Sequence, residues 1–298
     1  MTNFHGILPA AVTPFDAAGK FNPAAFEQLL ARVYAAGVDG VYVCGSTGEG
    51  LLQSVAQRQA VTEAAVQHSP AGKQVIVHVG AFATADAVTL AQHAARAGAH
   101  AVSALPPTGN YSFAEIKAYY RAIATATELP LLIYFMPALY PAISTVAQID
   151  ELCELPNVIG LKFTDFDLYK LSLLKQRGLT LFNGYDEVLV AGLLMGADGG
   201  IGSFYNVAPE LFVALYTHAQ AGEWAQARAV QTRINELITI GVRYPVVPAV
   251  KALLRRQGID CGECLAPRRT LTAAEEADLD AQLARSSFQA LLRGEDEV

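Results

Sequence analysis

Val158-Ile159-Gly160-Leu161-Lys162-Phe163, set between Pro156-Asn157 and Thr164-Asp165, is a short apolar run with punctuation on both sides, and it reads as a buried strand. Outward from it in both directions the same kind of run recurs, giving candidate strands at 7–12, 40–44, 75–79, 101–104, 131–134, 158–163, 180–182 and 199–202. Between them lie segments with apolar residues at helical spacing, such as Phe26-Leu29-Leu30-Val33-Tyr34 and Ile116-Tyr119-Tyr120-Ile123, most of which end at a Gly or Asn before the next strand. Eight strand–helix units predict an α/β fold, a (β/α)8 TIM barrel, because a doubly wound sheet usually has fewer strands. After Val207-Ala208-Pro209 the strand rhythm stops, and helices are predicted at 209–221, 224–242, 246–257 and 273–284. The expected organisation is a barrel domain over residues 1–222 and a C-terminal helical extension over 223–298, with the acidic tail Glu295-Asp296-Glu297 frayed.

The single lysine in the opening run matters most for chemistry. A charged ammonium is costly inside an apolar strand, and burial favours the neutral amine that a Schiff-base nucleophile needs. Of the seven lysines, Lys162 alone sits in such a strand; Lys117, Lys170, Lys175 and Lys251 fall in helical patterns, and Lys20 and Lys73 in Gly-containing turns. The alternative is a lysine at a strand end whose head snorkels to water.

Composition narrows the function classes. With 298 residues, 52% hydrophobic and only 16% charged, the chain can bury a large core. A net charge of −7 leaves no basic footprint for nucleic acid, so a small-molecule partner is expected. The Arg255-Arg256 and Arg268-Arg269 pairs are read as solvated faces or carboxylate partners. Met1-Thr2-Asn3-Phe4-His5 shows no secretory pattern, and no apolar run reaches the ~20 residues a membrane span needs, so the expected location is cytoplasmic, without membrane contact. Cys44, Cys153, Cys261 and Cys264 form no disulfide framework, and Cys261-Gly262-Glu263-Cys264 has no second pair to complete a zinc site, so no metal is expected and the thiols are read as reduced.

In a parallel barrel the reactive groups lie just after the strands. Strand two is followed by Cys44-Gly45-Ser46-Thr47-Gly48-Glu49-Gly50, whose glycines let backbone N–H groups form an anion nest and whose hydroxyls add donors for a carboxylate or phosphate. Strand five ends in Tyr134, a phenol able to relay a proton; strand six carries Lys162 and Thr164; strand seven runs into Gly184-Tyr185-Asp186-Glu187, and strand eight into Gly202-Ser203. This set suits Schiff-base chemistry on a 2-oxo acid, with the nest holding the carboxylate and the iminium acting as electron sink for C–C cleavage or dehydration. Asp186-Glu187 could instead simply start a helix, His78 reads as a hydrogen-bonded core or mouth histidine, Glu49 as a residue that fixes its own loop, and Tyr119-Tyr120 as packing.

Gly45-Ser46-Thr47-Gly48-Glu49, Tyr134 with Pro137 three residues on, and Gly160-Leu161-Lys162 resemble the dihydrodipicolinate synthase and N-acetylneuraminate lyase superfamily of class I aldolases, from the Thr13-Pro14-Phe15 turn through the C-terminal helices. The resemblance implies that Lys162 forms a pyruvate Schiff base, that Tyr134 shuttles protons, and that Ser46 and Thr47 hold the carboxylate and the tyrosine. No cofactor is implied beyond the covalent lysine adduct. Asn183-Gly184-Tyr185-Asp186-Glu187 followed by Gly196-Ala197-Asp198-Gly199-Gly200-Ile201-Gly202-Ser203 is similar to the lyase branch, where Gly184, Asp186, Glu187 and Ser203 are expected at the polyol tail of the sugar, with Thr164 also at the substrate. Leu139 stands where the synthase branch carries an arginine for its aldehyde's carboxylate, a task a leucine cannot perform. The substrates implied are pyruvate and a sugar-derived aldehyde, with N-acetylneuraminate or a close relative as the 2-oxo sugar acid; the alternatives are a keto-deoxy sugar acid aldolase or dehydratase, a synthase-like enzyme, or a sugar-acid sensor. The resemblance also implies a homotetramer. Two positions depart from the pattern: Phe135 replaces an Asn, and the tyrosine lent by a neighbouring subunit is due near Thr108-Gly109, which makes Tyr111 the candidate for that trans relay.

Overall fold

The chain is described by a computed structural model covering residues 4–293; the acidic tail at 295–297 lies outside the described residues. Eight parallel strands form one sheet: β1 (Gly6–Pro9), β2 (Gly40–Val43), β3 (Gln74–His78), β4 (Ala101–Ala104), β5 (Leu131–Phe135), β6 (Val158–Phe163), β7 (Thr180–Asn183) and β8 (Gly199–Gly202). Helices α1 (Pro23–Ala35), α2 (Val55–Gln67), α3 (Thr84–Ala97), α4 (Phe113–Ala126), α5 (Val146–Cys153), α6 (Leu168–Lys175), α7 (Leu189–Leu194) and α8 (Pro209–Gln220) follow the strands in turn. The strand order β1-β8-β7-β6-β5-β4-β3-β2 is that of a TIM barrel. Pro9 ends β1 earlier than the expected residue 12. The next residues close the ring: Ala10 N–H donates to Gly202 O and Ala11 N–H to Tyr42 O, both at 2.9 Å, and Ala10 bridges Tyr42 in parallel.

Alternation along each strand divides the apolar residues between two cores. Val41, Val43, Val75, Val77, Ile133, Leu161 and Phe163 face the helices, while Leu8, Tyr42, Ile76, Leu132, Tyr134, Phe182 and Ile201 fill the barrel. Each fully buried aliphatic or aromatic side chain of this kind contributes roughly 1.5–3 kcal/mol. Helix starts are set locally: Ser112, Thr145 and Thr272 form capping boxes with Glu115, Gln148 and Glu275.

Past the barrel come α9 (Trp224–Gly241), α10 (Val246–Arg256) and α11 (Ala273–Leu283). These helices are joined to the loops at the C-terminal ends of the strands by buried polar contacts. Lys251 of α10 pairs with Glu49 at 2.9 Å, with both side chains essentially inaccessible to water. Leu265 N–H donates to the other Glu49 oxygen at 2.8 Å, and Lys251 donates to Glu263 O at 2.9 Å. Glu49 therefore ties its loop to the extension rather than only to itself. Burial raises the Cys261 thiol to about 12 and Cys264 to about 11, which keeps both protonated near neutrality. Among the described residues no single helix is long and apolar enough to cross a membrane.

Candidate functional site

Lys162 faces the barrel interior because of one irregularity in β6. Leu131 pairs with Val158, but Leu132 pairs with Gly160, so Ile159 is an extra residue, a β-bulge. Because side chains alternate with period two, the extra residue flips everything after it. Without it Leu161 would stand opposite Tyr134; with it Lys162 does, on the inward face. Lys162 is 4% exposed and Tyr134 3%. The amine lies 4.0 Å from the Tyr134 ring centre and 4.7 Å from that of Tyr42, and these ring faces partly offset the loss of water around a cation. Among the described residues it has no carboxylate partner. Buried Lys251 does have one, in Glu49.

Around the amine, a cavity of about 350 Å³ opens at the C-terminal end of the barrel, and it is lined by Ser46, Thr47, Tyr134, Lys162, Thr164, Gly184, Asp186, Glu187 and Ser203. The hydroxyl loop after β2 is bent by left-handed residues at both ends, Cys44 (φ 59°) and Glu49 (φ 55°). Such backbone is costly for non-glycine residues and persists where the surroundings fix it. The fixing bonds are present: Thr13 Oγ1 and Gln53 Nε2 each donate to Gly48 O at 2.7 Å, and Glu49 holds Lys251. Thr47 Oγ1 lies 2.7 Å from Ser203 Oγ, joining the loops after β2 and β8 across the mouth. Thr164 Oγ1 is buried in the cavity wall with no hydrogen-bond partner among the described residues. Gly184 makes room for it, since a Cβ there would stand 2.0 Å from that oxygen.

Asp186 begins a 3-10 turn, Asp186–Val188, ahead of α7. Its Oδ2 accepts the Phe204 N–H at 2.7 Å, and a Cβ at Gly202 would sit 1.8 Å from Oδ1. Burial raises its carboxyl from the ordinary 3.8 to about 7, although the Phe204 N–H pulls the other way. Asp186 thus lines the cavity and also anchors the β8 loop. His78 behaves as a core residue: Leu105 N–H donates to Nε2 and Nδ1 faces Cys44 O, both at 3.1 Å, which assigns the ring proton to Nδ1. Burial, with Arg58 and Lys162 nearby, holds His78 well below the ordinary histidine range.

Two sequence departures resolve differently. Phe135 points out of the barrel, stacked on Phe163 at 5.3 Å between ring centres, and does not line the cavity. Tyr111 is 40% exposed and does not line the Lys162 cavity of this chain. It borders a neighbouring hollow formed by loops 106–111 and 139–142, and Leu139 is common to both. Tyr119 and Tyr120 pack edge to face, with their hydroxyls bonded to the backbone at Ala81 and Ala104.

Sequence reasoning missed several lining groups. Met136 and Tyr185 come from barrel loops, Ile238 from α9, Val242 from the residue that caps it, Val246 and Val247 from α10, and Arg268 from the loop before α11. Tyr42 does not line the cavity but lies under the amine, and its inward place in the β2 alternation could have shown it. The extension residues carry no local signal, because folding alone brings them to the mouth. Arg255, Arg256 and Arg269 do take carboxylate partners, at Glu276, Asp280 and Glu275.

Known proteins agree with this architecture. The Dihydrodipicolinate synthetase family profile matches residues 3–286. The chain is 39% identical over 279 residues to the N-acetylneuraminate lyase of Rhizobium meliloti (strain 1021), covering 93% of this chain and 92% of that protein. Its fold superposes on a catalytic lysine mutant of Ruminococcus gnavus sialic acid aldolase with a TM-score of 0.91 and 30% identity, over 99% and 98% of the two chains. It also superposes on a prophage protein of Escherichia coli K12 from the dihydrodipicolinic acid synthase family, solved with pyruvate, with a TM-score of 0.90 and 27% identity over 95% and 99%. An inward lysine and phenol on adjacent barrel strands, together with a match running nearly end to end, establish that this chain belongs to the dihydrodipicolinate synthetase family of pyruvate-dependent class I aldolases.

Proposed function

We propose that the protein is a lyase that reversibly cleaves a 2-oxo sugar acid, N-acetylneuraminate or a close relative, to pyruvate and a sugar-derived aldehyde. The observation that carries this reading is the amine of Lys162 beside Tyr134, without a carboxylate partner among the described residues, in a cavity also lined by Asp186, Glu187 and Ser203. The similarity to N-acetylneuraminate lyases supports the choice of substrate.

The substrate carboxylate binds at Ser46 and Thr47, whose backbone N–H groups have no protein acceptor among the described residues. Lys162 Nζ adds to the C2 ketone, and the Tyr134 phenol gives its proton to the departing hydroxyl, so that loss of water leaves an iminium and a phenolate. The C4 hydroxyl gives its proton to Tyr134, the C3–C4 bond breaks, and its electron pair moves into the iminium to leave an enamine as the aldehyde departs. Protonation at C3 and hydrolysis release pyruvate and restore the amine. Carboxylate and hydroxyl groups at Asp186, Glu187, Thr164 and Ser203 bind the hydroxyls of the sugar portion. Assembly as a homotetramer in the cytoplasm belongs to the same proposal, with Tyr111 of one subunit entering a neighbour's site through the hollow beside Leu139.

Borohydride reduction in the presence of pyruvate is expected to add one pyruvate-derived mass to the peptide containing Lys162. An adduct on another lysine, or none, would refute the mechanism. Dehydration of a keto-deoxy sugar acid remains the competing chemistry because of the altered 106–111 loop. A panel of 2-oxo acids scored for pyruvate release against water loss separates the two, and absence of any turnover would leave the sensor reading.

A further inference from the structure

The C-terminal helix α9 reaches back to the turn that carries the two cavity carboxylates. Gln231 is 5% exposed, and its side chain is fully used. Its Nε2 donates to Asp186 O at 3.0 Å and to Asn235 Oδ1 at 2.9 Å, while its Oε1 accepts the Val190 N–H at 2.9 Å. Asn235 in turn donates from Nδ2 to Glu187 O at 3.1 Å. One amide pair, one helical turn apart on α9, thus holds both ends of the 186–190 segment by its backbone.

We infer that Gln231 and Asn235 are positioning residues that set the sugar-side specificity of the site by fixing the Asp186–Val188 turn from the C-terminal extension. The turn needs such support. It is three residues long, its first carboxylate is buried, Tyr185 supplies no side-chain cap at its start, and Val188 supplies none to α7 behind it. Short 3-10 segments are weakly held by their own bonds, here Leu189 N–H to Asp186 O, so an outside amide that gives that carbonyl a second donor and accepts the next N–H, that of Val190, decides where the carboxylates point. The Lys162 end of the cavity has its own supports in the β5–β6 register and the Thr13 and Gln53 contacts. The two halves of the site meet in the Thr47–Ser203 hydrogen bond but are otherwise braced from different elements, so loosening the Asp186–Val188 turn should leave Lys162 able to trap pyruvate. This rests on the proposed cleavage of a sugar acid.

Gln231→Leu removes donors and acceptor at similar volume, and Asn235→Ala tests the partly exposed partner, where misfolding is a smaller risk. Three readouts are compared with the parent protein: borohydride-trapped pyruvate on Lys162, kcat and KM for N-acetylneuraminate, and amide exchange across residues 185–190. For Gln231→Leu the expected result is unchanged trapping, kcat within about threefold, KM raised roughly tenfold or more, and exchange of the segment accelerated, with Asn235→Ala milder in the same direction. Unchanged KM, or trapping and turnover that fall together, would overturn the inference. If Gln231→Leu does not fold, Asn235→Ala decides by the same criteria. If the parent traps pyruvate but cleaves no sugar acid, the functional proposal fails; the exchange of residues 185–190 then tests the brace by itself, and no acceleration in either variant ends it.

Discussion

Lys251→Met is expected to destabilise the protein in a pH-dependent way whose size follows from the contacts of Glu49. The substitution keeps most of the side-chain volume but removes the cation 2.9 Å from a carboxylate with no solvent access, and also its contact 4.4 Å from the centre of the Phe15 ring. Glu49 keeps the Leu265 N–H and the Cys264 thiol, both neutral partners. Stranding such a charge costs about 3–5 kcal/mol. The chain can avoid that by folding with the carboxyl protonated, and protonating an ordinary glutamate costs about 4 kcal/mol at pH 7 but only about 1 kcal/mol at pH 5. The loss is therefore capped near 4 kcal/mol at pH 7 and shrinks toward 1 kcal/mol at pH 5. In the variant the native state binds a proton that the unfolded chain releases, so stability falls as pH rises through this window. A drop of roughly 6–16 °C in the melting midpoint at pH 7 is the corresponding thermal signal. Parallel urea titrations of the parent and the variant at pH 5 and pH 7 read it directly, with the double variant Glu49→Gln, Lys251→Met recovering part of the loss. An equal deficit at both pH values would refute the argument, because it would mean that lost packing, not the stranded carboxylate, sets the cost.

Asp186→Asn keeps an acceptor for the Phe204 N–H but removes the ionisation. Because the folded carboxyl is raised from 3.8 to about 7, the parent loses stability as pH rises between those values; denaturation midpoints should show that slope flattened in the variant, and an unchanged slope counts against it. Condensation of pyruvate with aspartate semialdehyde should be negligible, since Leu139 offers no fork for the aldehyde's carboxylate; efficient product formation in a coupled assay would overturn the assignment to the lyase side. Tyr111→Phe should lower turnover roughly tenfold or more with assembly intact if the phenol acts in a neighbouring site, as measured by steady-state kinetics beside sedimentation; a tetramer with full turnover excludes that role.

Much of the barrel is legible in the chain because parallel strands covered by helices must be continuous apolar runs, and eight of them recur with helical patterns between. The strand-end motifs are legible for a related reason: groups just past each run are carried to one mouth by the topology itself. What escapes is anything set by register or by distant pairing. Nothing in Val158-Ile159-Gly160 announces that Ile159 is the extra residue, since a bulge is defined by its partner strand. Arg268 reads as half of a surface pair, yet it lines the cavity, whereas Arg269 beside it pairs with Glu275. Gln231 lies 45 positions from the carbonyl it holds, and its place in α9 looks like any polar helical residue. The Phe135 departure shows the opposite error. A changed residue next to Tyr134 looks important in sequence, but alternation sends it to the outer core.

The two buried lysines show why burial alone does not select a nucleophile. Lys251 is 2% exposed and Lys162 is 4% exposed, so accessibility does not distinguish them. Their partners do. Lys251 is held by a carboxylate and a backbone carbonyl, and the first of these contacts fixes the hydroxyl loop to the extension. Lys162 has ring faces on two sides and open cavity beyond, a setting in which an amine can meet a carbonyl carbon without first breaking an ion pair. The same extension that pairs Lys251 also holds the Asp186 turn through Gln231. In this chain the helices after the barrel stabilise both the loop proposed to bind carboxylate and the turn proposed to bind sugar, while the proposed nucleophile is aimed by a single bulge in its own strand.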